Sequence, residues 1–108
     1  GQMNIAILYG GKSGEHEVSL VSASSIARNI PEGGNTIRLI GITKNGDWYL
    51  QDESLLREIC ANTKATLSIT EKEDRRISIV PGGGIKGALA GRRASGRPVC
   101  FGPLGRVV

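Results

Sequence analysis

Residues 4–20 of this chain read NIAILYGGKSGEHEVSL. The apolar run Met3–Tyr9 stops at a pair of glycines, and its length and β-branched content predict a buried strand. Beyond the loop that ends at Glu15, small and apolar side chains recur at helical spacing and predict one helix over residues 16–30. These positions are Val18, Val21, Ala23, Ile26, Ala27 and Ile30.

The next elements extend this unit into an α/β fold. A second strand is predicted over Thr36–Thr43, and a strand-helix-strand unit is nearly always a right-handed crossover between parallel strands. The Asn-Gly pair at 45–46 predicts a turn into a short strand, Trp48–Leu50, as in a hairpin. The predicted fold class is therefore α/β, with an open, mostly parallel sheet and flanking helices.

Weaker signals follow along the chain. Leu55, Leu56 and Ile59 would form the apolar face of a short helix over 53–61. Asp52 or Ser54 is expected to cap that helix. Further strands are predicted at residues 65–70 and at residues 76–80, the second of which is closed by a proline and three glycines.

The charge of the chain is unevenly distributed. Residues 1–74 hold seven Lys/Arg and all ten Asp/Glu, a net charge of −3, whereas residues 75–108 hold seven Lys/Arg and no acid, a net charge of +7. Eight of the sixteen glycines also lie in the second part, and no sustained period predicts regular structure after residue 84. We therefore divide the chain into an α/β domain, residues 3–84, and an atypical basic tail, residues 85–108.

Composition also bears on partners and location. The arginines at 92, 93, 97 and 106 could neutralise phosphates, but Phe101 is the only aromatic residue among them, so a solvated charge run is favoured over a nucleic-acid site. Nothing resembles a signal peptide, and no run approaches the roughly 20 apolar residues of a spanning helix. We expect a cytoplasmic protein with neither a nucleic-acid partner nor a membrane partner.

Metal and nucleotide motifs are also disfavoured. Cys60 and Cys100 have no partner at metal-ligand spacing, so no metal site is predicted and the thiols are expected to be buried or idle. The Gly-Lys-Ser at 11–13 ends like a P-loop, but the position that needs its first glycine is Ala6. The glycines at 82–87 match G-x-G-x-x-G, yet no acidic residue follows them to hold a ribose.

The loop between the first strand and the first helix is the candidate site. Its glycines allow close backbone approach to a small ligand, Ser13 offers a hydroxyl, and Glu15 could hold an ammonium group. Spacing alone slightly favours a plainer interpretation, in which Glu15 and Glu17 only complement the helix dipole. His16 is expected to be a solvent-facing turn residue.

Three segments resemble the D-alanine:D-alanine ligase family: Asn4–Ala23, Ile40–Tyr49 and Val80–Gly84. The resemblance implies an incomplete, Rossmann-like domain that precedes two ATP-grasp domains in an enzyme of peptidoglycan synthesis. Such an enzyme uses ATP and Mg²⁺ to activate one D-alanine as an acyl phosphate, which the amine of a second D-alanine then attacks. ATP and Mg²⁺ belong to the full-length family, and no residue of this chain is expected to bind them.

The same resemblance assigns roles to three residues. Glu15 matches a catalytic carboxylate that helps to hold the amino group of the first D-alanine, and Val18 and Ser19 lie at the same end of the helix as substrate-binding residues. Full-length members are usually homodimers. D-alanine binding by this chain in isolation is expected to be weak or absent.

The chain also departs from the family pattern. Members continue into a Phe-Pro-x-Leu-His-Gly segment, whereas Val99–Arg106 lies at about that distance and contains no histidine. We therefore expect the chain to be inactive alone, and we hypothesise that residues from about 85 are read from a shifted frame. The alternative function is a non-catalytic α/β domain that binds a small ligand or a partner.

Overall fold

The computed structural model describes residues 4–12, 14–30, 36–79, 88–92, 98–103 and 106–107, and within these ranges it describes side chains from Ile5 to Ile77. The first three elements form the predicted crossover. Strand β1, Asn4–Gly10, leads into helix α1, His16–Asn29, and strand β2, Thr36–Ile42, returns parallel to β1. Their register pairs Asn4 with Thr36 at one end and Gly10 with Ile42 at the other.

The predicted hairpin is confirmed. Strand β3, Trp48–Leu50, pairs antiparallel with β2. The turn between them contains Gly46 at φ +89°, and the Gly46 N–H donates to the Thr43 carbonyl at 2.9 Å. Only a residue without Cβ adopts this conformation cheaply, which is why the Asn-Gly pair marks the turn.

The second helix, α2, spans Glu53–Ala61, as the sequence predicted. Of the two expected caps, Asp52 is the one used, because its Oδ1 accepts the Ser54 backbone N–H at 2.9 Å. Ile59 is buried beneath the helix. The other end is closed by Arg28 of α1, which donates to the carbonyls of Ile59 at 2.9 Å, Asn62 at 3.0 Å and Ala65. A guanidinium suits this position because the last carbonyls of a helix have no partner within it.

The sheet is mixed and open. A short 3-10 helix, Glu73–Arg75, precedes the remaining strands, which are β4 (Arg76–Ile79), β5 (Ala88–Arg92), β6 (Pro98–Pro103) and β7 (Arg106–Val107). The strand order is β6-β5-β4-β3-β2-β1-β7. Pairing is parallel at β1 with β2 and with β7, and it is antiparallel from β2 through β6. The α/β class with an open sheet and flanking helices is thus confirmed. The expected parallel pairing is found at the start of the chain, between β1 and β2, whereas most of the described strand pairs are antiparallel.

The expectation of no regular structure after residue 84 is wrong for the described backbone there. β5 and β6 pair antiparallel, and β5 also pairs with β4. A register shift between Leu89 and Ala90 interrupts the β5–β6 pairing. A bulge of this kind breaks the two-residue alternation of side chains, so the sequence carries no clean strand period.

The predicted strand at residues 65–70 is also wrong. Here the backbone of residues 62–70, which we call the strap, hydrogen-bonds to side chains of other elements instead of to a neighbouring strand. The Leu67 N–H donates to Ser24 Oγ at 2.8 Å, and the Tyr9 hydroxyl donates to the Ser68 carbonyl at 2.7 Å. The Gln51 side chain accepts from the Thr70 N–H at 2.9 Å and donates to the Thr70 carbonyl at 3.2 Å.

Two apolar clusters pack on opposite faces of the sheet, as the alternation of side chains along a strand requires. The cluster beneath α1, α2 and the strap consists of Ile5, Ile7, Tyr9, Ala23, Ala27, Leu39, Ile59 and Leu67. The second cluster consists of Ala6, Ile40, Leu50 and Ile77. Burial raises the pKa of the Tyr9 hydroxyl above its usual range. Within the described residues, neither helix is both long and apolar enough to cross a membrane.

Candidate functional site

The loop after β1 is built on two glycines in the left-handed region. Gly10 has φ +95° and Gly11 has φ +102°. A Cβ atom on Gly10 would lie 2.2 Å from the Ile42 carbonyl oxygen and 2.8 Å from Cδ1 of Ile69, whereas one on Gly11 would have nothing within 4 Å. Position 10 therefore requires glycine for both its conformation and its close packing, and position 11 for its conformation alone.

Three hydrogen bonds fix this glycine pair. The Gly10 N–H donates to Ser19 Oγ at 3.0 Å, and the Gly11 N–H donates to the Ile42 carbonyl at 2.8 Å. The Gly11 carbonyl lies 2.7 Å from Nδ1 of His16. The loop is thus attached to the first turns of α1 on one side and to the end of β2 on the other.

The structure brings the three predicted site residues to the start of α1. Glu15 occupies the N-cap position and is exposed, and its carbonyl accepts the Ser19 N–H at 2.9 Å. Val18 is 57% exposed. Ser19 is half-buried, and its oxygen already accepts the Gly10 N–H. An exposed carboxylate and an exposed apolar side chain therefore flank a helix N-terminus at the carboxyl ends of two parallel strands, where ligands bind in α/β sheets.

His16 corrects an expectation from the sequence. We expected it to face solvent, but it is only 8% exposed. It lies on the inner side of α1 with Ala23, Ser24 and Ala27, which are also buried. The spacing of positions 16, 20, 23 and 27 could have placed it there, because it follows one helical stripe.

The apolar pattern that predicted α1 did not identify its buried face completely. Val18, Val21 and Ile26 are 57%, 60% and 39% exposed, whereas Ala23 and Ala27 are buried. The helix lies on the sheet through its small residues, which permit close approach. Val18, Val21 and Ile26 therefore remain on the outer side, whereas Leu20 and Ile30 pack against the core cluster.

A second contact anchors the loop to the β2–β3 turn. A Cβ atom on Gly46 would lie 2.4 Å from Cε of Lys12, so the Lys12 side chain runs across that turn. Lys44 of the same turn lies 3.7 Å from the Glu17 carboxylate, with both side chains more than two-thirds exposed (71% and 75%). An ion pair this exposed contributes little, about 0–1 kcal/mol.

A separate cleft of about 560 Å³ lies between α2 and residues 68–75, which include the end of the strap. Its lining includes Gln51, Asp52, Glu58, Lys72 and Arg75 but no residue of the glycine loop. The buried Gln51 amide is already engaged on both its oxygen and its nitrogen by backbone groups. The glycine loop, with its exposed carboxylate, therefore remains the better candidate.

Several motifs noted in the sequence can be placed only in part. No group of His, Cys, Asp or Glu within the described residues could hold a metal ion. Cys60 is a free, exposed thiol, so of the two expectations for it the buried one is wrong. Residues 82–87 and the arginine side chains of the tail lie outside the described part of the chain, as do Ser13 and the side chain of Cys100.

Comparison with known proteins gives a consistent result. The family described as "D-ala D-ala ligase N-terminus" matches residues 4–97. A D-alanine–D-alanine ligase of Treponema denticola is 54% identical over 87 residues, which cover 81% of this chain and 23% of that protein. The ligase of Treponema pallidum strain Nichols is 48% identical over 87 residues, covering 81% of this chain and 22% of its own length.

Solved structures agree with the sequence relatives. The D-alanine–D-alanine ligase from Helicobacter pylori superposes with a TM-score of 0.61 at 26% identity and covers 97% of this chain and 28% of its own. The ligase from Coxiella burnetii gives a TM-score of 0.59 at 28% identity, over 80% of this chain and 24% of its own. The chain thus spans about a quarter of the length of the proteins it matches.

These matches bear on the frameshift hypothesis. The family match continues past Gly84 to residue 97, and the Helicobacter pylori superposition covers nearly all of the chain. A shifted frame from about residue 85 is not expected to retain either similarity. The Treponema denticola match, however, leaves about a fifth of the chain uncovered. The frameshift hypothesis and the division of the chain at residue 84 therefore both stay predictions.

Proposed function

We propose a function from one premise: the chain belongs to the D-alanine–D-alanine ligase amino-terminal family. It is the substrate-binding domain of an ATP-dependent ligase that joins two D-alanine molecules for peptidoglycan precursors, and it is inactive alone. The observation that carries this proposal is the glycine loop. The loop lies at the carboxyl ends of β1 and β2 and is followed directly by exposed Glu15 at the start of α1.

The loop residues can hold an amino acid in one orientation. The Glu15 carboxylate accepts hydrogen bonds from the substrate ammonium, and Val18 provides an exposed apolar surface beside it. The Ser19 oxygen accepts from Gly10, so its own hydroxyl hydrogen remains available for donation. Orientation of two small reactants is worth a large part of a reaction barrier, so a domain that only binds and orients still contributes to catalysis.

Interaction energies explain why D-alanine is expected to bind weakly to the isolated chain. An exposed carboxylate-ammonium pair contributes about 0–1 kcal/mol, whereas a millimolar dissociation constant needs roughly 4 kcal/mol. The same pair becomes stronger when water is excluded from it, because the effective dielectric constant falls. The rest of the ligase would provide that cover.

The described residues do not fit a metal site. Because the chain spans about a quarter of the ligases it matches and the family resemblance implies that ATP-grasp domains follow it, we assign ATP and Mg²⁺ to the rest of a full-length ligase. The part played by this chain is to place the first D-alanine so that its carboxylate is available for activation there. Its own residues bind and orient the substrate and take no part in phosphoryl transfer.

The test uses a hybrid ligase in which the aligned 87 residues of this chain replace their counterparts in the Treponema denticola enzyme. The D-alanine concentration that half-saturates ATP-dependent ligation is compared for Glu15→Gln and Glu17→Gln. Both glutamates are exposed and two residues apart, so Glu17 is a matched control. We expect Glu15→Gln to raise that concentration about tenfold, equivalent to ~1.4 kcal/mol, and Glu17→Gln to leave it nearly unchanged. Equal effects of the two substitutions would overturn the assignment of Glu15.

A second candidate is a non-catalytic domain that binds a small ligand, and the 560 Å³ cleft favours it. In that case the isolated chain would bind D-alanine or a similar amino acid measurably. NMR titration separates the candidates by location, because shifts at residues 51–58 and 68–75 would indicate the cleft and shifts at residues 10–19 would indicate the loop.

A further inference from the structure

We infer that His16 is a positioning residue of the proposed substrate site. It acts through the Gly11 carbonyl, which its Nδ1 binds, and thereby fixes the loop that presents Glu15. This inference rests on the proposed function and deepens it, because it adds a residue that the resemblance leaves without a role.

The hydrogen bond defines which ring nitrogen of His16 must carry a proton. Nδ1 of His16 lies 2.7 Å from the Gly11 carbonyl oxygen. A carbonyl oxygen only accepts hydrogen bonds, so Nδ1 must carry the proton in this arrangement. The neutral ring is therefore held as the tautomer protonated on Nδ1, and the ring plane is fixed by the partner.

The bond closes the loop on itself. Gly11 begins the segment and His16 follows Glu15 directly, so the contact joins the two ends of residues 11–16. The His16 ring also abuts Gly10, since a Cβ atom there would lie 3.1 Å from Cε1 of His16. Glycines have the widest conformational freedom of any residue. Without this hydrogen bond, the peptide group that carries the Gly11 carbonyl could rotate, and the backbone position of Glu15 would no longer be fixed relative to Gly11.

Packing alone does not explain a histidine here. The ring is 8% exposed and lies beside the buried face that contains Ala23 and Ala27. An apolar side chain of similar size would fill the same space without the cost of burying a polar group. The imidazole adds a hydrogen-bond donor, Nδ1–H, which binds the Gly11 carbonyl of the loop.

The first test reads the tautomer in the chain itself. Nitrogen-15 NMR of the His16 ring in alkaline buffer, where an imidazole is neutral, distinguishes a protonated Nδ1 from an unprotonated one. We expect the Nδ1–H form. A ring protonated on Nε2 with bare Nδ1 would overturn the inference, and this outcome does not depend on whether the chain serves a ligase.

The second test asks whether the donor matters for substrate. In the hybrid ligase, His16→Asn keeps an N–H at about the distance of Nδ1 from the backbone, His16→Gln moves it one bond farther, and His16→Leu removes it. We expect Asn to keep the half-saturating D-alanine concentration within about twofold and Gln and Leu to raise it about five- to tenfold, with kcat changed less. Circular dichroism and thermal unfolding identify any variant that fails to fold.

The outcomes separate the two proposals. If His16→Leu saturates with D-alanine as the unsubstituted hybrid does, His16 has only a packing role and the inference is wrong. If instead Glu15→Gln leaves saturation unchanged while the Nδ1–H tautomer is observed, the proposed function of Glu15 fails and the geometry of the loop stands. Rescue by Asn but not by Gln supports the positioning role, because the two amides differ only in where they place the donor.

Discussion

Gly10, Gly11 and Gly14 lie within one loop and constrain it to different degrees. A Cβ atom on Gly14 would meet nothing within 4 Å, and the backbone of Gly14 is not in the left-handed region. At Gly11 only the φ of +102° disfavours a side chain. At Gly10 both the φ of +95° and the nearby Ile42 carbonyl oxygen disfavour one. We predict that Gly14→Ala leaves stability nearly unchanged and that Gly11→Ala costs about 1–3 kcal/mol. Gly10→Ala should lower the free energy of unfolding further, because the new methyl group would meet the Ile42 carbonyl oxygen, which is a backbone atom.

Urea unfolding of the three variants checks this order. The Ile42 carbonyl is also the acceptor of the Gly11 N–H, so it cannot move away from a new methyl group without breaking that bond. A Gly10→Ala variant as stable as Gly14→Ala would mean that the loop adopts another conformation and that the site geometry described above is incorrect.

At the residue scale, the sequence predicted which loop to examine but not how its polar side chains are used. Spacing left two comparable interpretations of Glu15, and only the resemblance favoured substrate binding. His16 and Ser24 can be buried because each has a backbone partner, at Gly11 and at Leu67. The Leu67 partner lies 43 residues from Ser24, so no local pattern could reveal it.

At the element scale, the cap of α2 connects stability to pH. The pKa of Asp52 is lowered, chiefly by the Ser54 backbone N–H and then by the Ser54 side chain. A carboxylate whose folded pKa is depressed stabilises the fold above its unfolded pKa, 3.8, and this contribution is lost as pH falls through the folded value. Asparagine caps helices about as well but does not titrate.

We therefore predict that Asp52→Asn reduces the loss of stability between neutral and strongly acidic solution. The measurement is the urea midpoint of each protein across that pH range, with the difference between the two proteins isolating this carboxyl group from the others. Parallel curves for the two proteins would show that the cap does not bind Ser54 as described.

The strap depends on Arg28 of α1. Its guanidinium donates from two different nitrogens, Nε and Nη2, to three carbonyls at and beyond the end of α2, whereas a lysine ammonium would have to donate from one nitrogen. We predict that Arg28→Ala costs about 2–3 kcal/mol and that Arg28→Lys recovers only part of it. Arg57→Ala is the control, since Arg57 is exposed on α2 and should change stability by no more than about 0.5 kcal/mol.

Denaturant unfolding measures these differences in the free energy of unfolding. Amide hydrogen exchange at Leu67 and Thr70 shows whether the loss of stability occurs in the strap. If Arg28→Ala lowers the free energy of unfolding no more than Arg57→Ala does, the strap is held by its other hydrogen bonds.

The strap also shows why one strand prediction failed. Residues 65–70 have the composition of a strand, but side chains of four distant residues satisfy their backbone groups, and local propensity cannot register that competition.

For the whole molecule, the order of elements was more predictable than their pairing. The crossover of β1, α1 and β2 follows from periodicity and chirality, and the hairpin to β3 follows from its Asn-Gly turn. The antiparallel extension through β5 and β6 was not predicted, because each of these short strands is interrupted by a glycine and their mutual register is irregular, so they carry little pattern. Function required similarity to known ligases, since a fold of this class hosts many activities.

If the proposed function is correct, this chain provides the D-alanine site of a ligase and none of its nucleotide chemistry. The decisive experiment is phosphate release from ATP in the presence of D-alanine and Mg²⁺. It is measured for the chain alone, for the hybrid ligase and for the hybrid with Glu15→Gln. We predict no release above background from the chain, D-alanine-dependent release from the hybrid, and loss of that release at low D-alanine in the Glu15 variant. D-alanine-dependent release by the chain alone, abolished by Glu15→Gln, would contradict the proposed division of roles.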